Sequence, residues 1–149
     1  MREPLFTQAM NTKHLLRVLL AALSLAAAYP SAAMAQTSQR IQLSQLEAMF
    51  SSMRAKAPWN VDGPLLWGYF FLDPSQEKLT SAAQELLAAQ YRIVGINEVS
   101  GRHIFRLHVE KVEVHSPASL HARNSELYEL ATKYKLASYD GMDVGPATK

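Results

Sequence analysis

The sequence predicts an α+β domain: a ferredoxin-like sandwich, with a four-stranded antiparallel sheet, two helices on one face and a short extra helix in front. Three observations lead there. The apolar run Leu65 to Leu72 is bounded by Pro64 and by Asp73-Pro74, which marks a central strand. Two helical stripes each open on a capping residue followed by proline, Asp73-Pro74 and Ser116-Pro117. The elements then run strand, helix, strand, strand, helix, strand, the order that interleaves two strand–helix–strand halves.

Taken in order, Leu43, Leu46, Phe50 and Met53 recur at helical spacing, Ser44 and Glu47 have the spacing of a capping box, and Pro58 stops the helix. Asn60 to Pro64 carries turn formers. After the first strand, Leu79, Ala83, Leu86 and Leu87 form one stripe of a helix ending near Gln90. Tyr91 to Ile96 reads as the second strand, Asn97 to Gly101 as a turn, and His103 to Val114 as the third strand. In that strand Phe105, Leu107 and Val109 alternate with Arg106, His108 and Glu110, whereas Val112 and Val114 are out of phase. A bulge near Glu110-Lys111, or a twist exchanging the faces, is therefore expected. Leu120, Leu127, Leu130, Ala131 and Tyr134 line the next helix, with Lys133 and Lys135 suiting its C-terminal dipole, and Leu136 to Tyr139 makes a short last strand before Asp140-Gly141.

The first 35 residues read as a cleavable secretory signal. Arg2, Lys13 and Arg17 precede the apolar run Val18 to Ala28, which is shorter than the roughly 20 residues a membrane span needs. Ala33-Met34-Ala35 then places the cut before Gln36; translation from Met10 rather than Met1 would give a more compact basic start. A periplasmic or secreted protein without a membrane span is the expectation. Removing Arg2, Lys13, Arg17 and Glu3 brings the 15 basic and 13 acidic residues into balance, so the remainder lacks the basic excess that drives nucleic-acid affinity. With no cysteine, disulfides, thiolate metal sites, thiol nucleophiles and a lipoprotein anchor are all excluded.

No nucleophile elbow, phosphate-cradling glycine loop or His-Glu-x-x-His occurs, so no catalytic residue, cofactor or metal is assigned. His108 with Glu110, and Glu113 with His115, pair an imidazole with a carboxylate along one strand; a small envelope enzyme or metal-binding protein built on these four is the alternative reading. The more suggestive set is Trp67, Tyr69 and Phe71, which share one face of the first strand because side chains alternate. On the open face of the sheet they would form a binding platform with Arg106, His108 and Glu110, for a protein partner or a second copy of the chain. On the other face they would be core.

Four blocks, Trp59 to Phe71, Val109 to His115, Leu120 to Tyr128 and Tyr139 to Asp143, together resemble the regulator of ribonuclease activity B family, the ribonuclease E inhibitors, in its divergent branch. Asp62, Gly63, Arg123, Asn124, Tyr139, Asp140 and Gly141 match the family's motifs. The resemblance implies a ferredoxin-like fold and a non-catalytic, protein-binding role, founding members being inhibitors of a cytoplasmic endoribonuclease. The founding inhibitor is strongly acidic and carries Tyr-Asp-Gly-Trp-Gly, where this chain is balanced and has Tyr139-Asp-Gly-Met-Asp143. The expected layout is a signal at 1–35, a polar segment with a short helix at 36–58, the family domain at 59–144 and a flexible tail at 145–149. An exported regulator with an unknown protein partner is the functional expectation.

Overall fold

The computed structural model describes residues 40–147, so the signal expected at 1–35 and its cleavage point lie outside the described residues. Within them the order is α1 (Leu43–Lys56), β1 (Leu65–Asp73), α2 (Gln76–Ala88), β2 (Arg92–Val99), β3 (Ile104–Glu113), α3 (Pro117–Lys133) and β4 (Ser138–Pro146). The strands form one sheet in the order β2-β3-β1-β4, and every neighbouring pair is antiparallel. The turn between β2 and β3 is tight, with Arg102 N–H donating to the Val99 carbonyl and Gly101 at a φ of 74°. A parallel pairing there would have needed a crossover of about a dozen residues.

Both interleaved helices cover one face. Leu79, Ala82, Ala83 and Leu86 of α2 and Leu120, Leu127, Tyr128 and Ala131 of α3 are buried in a single core with Leu65, Trp67, Tyr69 and Phe71 of β1 and Leu107 and Val109 of β3. The same layer includes α1. Its Leu46 and Phe50 are buried, and the Phe50 ring stacks on Trp67 at 6.0 Å between centroids. Burying each large apolar side chain is worth about 1.5–3 kcal/mol, and Met49 and Met53, partly buried against the same core, add to what holds α1 on the layer. Leu87, placed in the apolar stripe by spacing, instead stands exposed at the end of α2.

Local chemistry shifts several boundaries. α1 starts earlier than Ser44 and Glu47 suggest: Gln42 is its cap, and the Gln42 N–H donates to Gln45 Oε1 at 2.8 Å. α2 is capped by Ser75, whose Oγ accepts from Lys78 N–H. Asp73 belongs to β1 instead. It is buried, and its two carboxylate oxygens accept the N–H groups of Ser75 (2.7 Å) and Ala137 (2.8 Å), tying the entry of α2 to the approach to β4. Ser116 does cap α3, with Pro117 in the first turn and a reciprocal bond pair between Ser116 and Ser119.

β3 contains no bulge. It stays in continuous register with β1 from Glu113 opposite Leu65 to Phe105 opposite Asp73. Val112 and Val114 are simply exposed, at 53% and 58%, while Lys111 and Glu113 point to the helix side, where polar partners receive them. The register breaks fall on the outer strands, at Ile93/Gly95 in β2 and in β4 opposite Phe70/Phe71. The β4 break places Asp140 out of register and Gly141 at a φ of 98°, a conformation costly for any side chain. Asp140-Gly141 is thus a kink inside a strand that continues to Pro146, rather than the turn ending a short one.

Candidate functional site

Trp67, Tyr69 and Phe71 do not line the open face: each is 0% exposed and faces the helices. The physical reason is volume. With Gly68 as one of the competing positions, the Trp67 parity offers far more apolar surface to bury, and Leu107 and Val109 reinforce it in register. The open face therefore receives Leu66, Gly68, Phe70 and Leu72 from β1. Opposite them stand Val112, Glu110, His108 and Arg106 of β3, so three of the six platform residues, Arg106, His108 and Glu110, do lie there.

These side chains form a connected surface. The His108 ring stacks on Phe70 at 4.6 Å and 28°, and the Arg106 guanidinium sits over the same phenyl ring, 5.3 Å from its centroid. Glu110 pairs with Arg92 of β2. His108 Nε2 lies 3.4 Å from Glu110 Oε1 but is buried without a hydrogen bond. Gly68 makes the close packing possible: a Cβ there would collide with the Asp143 carboxylate of β4 and lie 3.0 Å from His108 Nε2. Spacing on β3 located the charged residues. The platform reading puts Gly68, Phe70 and Leu72 on the helix side, and the structure reverses this; the β1 run is apolar at both parities, so alternation alone does not orient it.

Glu113 and His115 sit on the opposite face, beneath the helices. Glu110 and Glu113 are an odd number of residues apart, so alternation separates the two His/Glu pairs and the four cannot converge on one ion. Among the described residues, no group of three or more His, Asp or Glu is arranged to hold a metal. Instead Glu113 is a hub. One oxygen accepts from Arg123 Nη2 at 2.6 Å; the other accepts from the Tyr69 hydroxyl at 3.3 Å and approaches His115 Nε2 at 3.2 Å. His115 Nδ1 is 3.0 Å from Ser119 Oγ, and its ring meets Trp67 edge-on. Arg123 and Lys111 both approach the Tyr91 ring.

Burial disfavours charge on His115 and lowers its pKa, although Glu113 pulls the other way. Burial tends to raise Glu113, but the Arg123 hydrogen bond and charge, aided by His115, hold it below its usual value. Burial also pushes the Tyr91 hydroxyl up to about 12. Both acid-side shifts have the same sign for folding. His115 contributes fully above its unfolded pKa of about 6.5, and the contribution falls as pH drops and the unfolded chain takes the proton first; Glu113 adds a second loss beginning near 4.5. Thermal melts should therefore fall in two steps on acidification, and a melt temperature flat from pH 7 to 4 would contradict this account.

The family-motif residues are largely architectural. Arg54 of α1 grips Asp62 with two nitrogens, the shorter contact 2.6 Å, and Gly63 is buried where a Cβ would press on Asn60. The Tyr139 hydroxyl donates to Asn124 Oδ1 at 2.6 Å, joining β4 to α3 in the core. Arg123 completes the Glu113 hub. Asp140 alone of the set is exposed and free of such duties, at the edge of a depression of about 480 Å³ floored by Leu72, Val99 and Ile104. A second cleft of about 500 Å³ lies between α2 and α3, walled by Leu86, Leu127 and Leu130. Four of its lining charges pair with one another, Lys133 with Glu85 and Arg123 with Glu126, each at 2.5 Å, and Glu129 pairs with Arg40.

Fold and surface together define an interleaved α+β domain with one helix-covered and one open sheet face, whose buried polar cluster is an internal tie rather than a solvent-facing reaction centre. The chain belongs to the family described as Regulator of ribonuclease activity B, whose model matches residues 44–144, α1 included. This is a family of regulators. No curated protein matches the chain at a significant level.

Proposed function

We propose that this chain is a non-catalytic regulatory domain that works outside the cytoplasm and binds a polypeptide partner through the open sheet face, using Arg106, His108 and Glu110 with Phe70. The observation that carries the regulatory part of this reading is the family match, which over residues 44–144 reaches into every element of the fold. Supporting it, the open face presents an aromatic residue flanked by both signs of charge, a composition suited to a protein surface. The balanced charge outside the signal disfavours RNA and also removes the acidic field with which a regulator could compete for a basic RNA-binding region. The signal-like start supports a compartment different from that of cytoplasmic ribonucleases.

The full chain, tagged at its C-terminus and produced in its native cells, tests both halves of the proposal. Mass spectrometry of the fractionated cells should find a protein beginning at Gln36 in the envelope or medium, and crosslinking there should capture a partner that the double variant Arg106→Glu, His108→Ala loses. An intact N-terminus in the cytoplasm would overturn the export reading and restore ribonuclease inhibition as the function.

A further inference from the structure

We infer that the depression at the Arg106 end of the open face receives the free carboxyl terminus of a partner polypeptide whose last side chain is apolar. The inference rests on the protein-binding reading above and deepens it. The floor is Leu72 of β1, Val99 of β2 and Ile104 of β3, and the rim carries Arg102, Arg106 and Asp140. The volume, about 480 Å³, suits one or two residues and not an extended helix.

Charge complementarity selects the occupant. Arg92 and Arg123 each pair with a carboxylate, whereas Arg102 and Arg106 have no such partner among the described residues. Phe70 fixes the Arg106 guanidinium from beneath by a cation–π contact and leaves its N–H groups available. Two guanidinium groups beside an apolar floor match a carboxylate attached directly to an apolar side chain. Bidentate arginine contacts would hold the carboxylate while the side chain loses water against Leu72, Val99 and Ile104. Asp140, held out of register by the β4 kink, completes the match. A peptide terminus carries an amide N–H close to its carboxylate, which Asp140 can accept, while a dense polyanion such as phosphorylated or nucleic-acid backbone is repelled by it.

The test is calorimetric titration of the full chain with acetyl-Ala-Ala-Leu bearing a free carboxylate, its C-terminal amide, and inorganic phosphate alone. The free acid should bind saturably, the amide about tenfold or more weaker, and phosphate should not compete. Arg102→Ala and Arg106→Ala should each weaken the free acid about tenfold; both side chains are exposed, so the thermal melt should stay put for Arg102→Ala and fall by only a few degrees for Arg106→Ala, which loses its contact with Phe70. No heat with the free acid at millimolar concentration, equal binding of acid and amide, or effective competition by phosphate would each overturn the inference. These outcomes are separable from the broader proposal: an envelope partner captured by crosslinking, with no binding of the tripeptide, rejects the terminus site alone.

Discussion

Replacing Tyr69 by alanine should lower stability by about 3–5 kcal/mol, the cost of truncating a fully buried aromatic side chain. The ring is 0% exposed, meets Tyr91 edge-on at 5.8 Å and sends its hydroxyl to Glu113. At roughly 4–8 °C per kcal/mol for a domain of this size, the melting temperature should drop by about 12–40 °C. Tyr69→Phe isolates the hydroxyl and should cost only about 1 kcal/mol. Phe70→Ala, one residue on but half-buried on the open face, should cost clearly less than Tyr69→Ala. Equal losses at positions 69 and 70 would contradict the burial of the Trp67 face.

The second large effect is expected at Glu113. Glu113→Ala strips the carboxylate from Arg123, Tyr69, His115 and Lys111 at once and leaves Arg123, whose side chain is 23% exposed, with only the exposed Glu126 as a carboxylate partner. Loss of one member of a largely buried ion pair costs up to 3–5 kcal/mol; with some solvent reaching this pair, about 2–3 kcal/mol is expected. Glu113→Gln preserves the shape and accepts from Tyr69, so its loss should be smaller. The diagnostic measurement is a double-mutant cycle: Glu113→Ala combined with Arg123→Met should cost less than the two changes summed, because no buried charge is then left unpaired. In Glu113→Ala the acid step beginning near pH 4.5 should also shrink, leaving the smaller contributions of Asp62 and Glu85, which Arg54 and Lys133 hold below the usual carboxylate range.

The architecture was legible because its signals were local. Ser116-Pro117 marked α3, and the short Asn97 to Gly101 connection forced an antiparallel pair. Faces were harder. Leu65 to Leu72 is apolar at both parities, so alternation could not say whether Trp67 or Phe70 points inward, and only the summed volume packed against α1 and α3 decides. The mismatch at Val112 and Val114 misled in the opposite direction: equating apolar with inside required a bulge, yet Lys111 and Glu113 could take the inner positions because Arg123, Tyr69 and Tyr91 satisfy them. That network joins residues far apart in sequence, and no spacing rule reveals it. Asp73 likewise looks like a helix cap until the Ala137 N–H arrives from more than sixty residues away.

The two irregular outer strands constrain how another protein can attach. A sheet rim with an unbroken ladder offers its free N–H and C=O groups as a template on which a foreign strand can zip. Here one rim is interrupted at Val94 and the other at Asp140-Gly141, and Pro146, lacking an N–H, closes the second. Such rims spoil the template on both sides. A partner then gains little from main-chain pairing and must recognise side chains on the flat surface between the rims, so its selectivity is set by the identities of a few residues there and not by generic backbone adhesion.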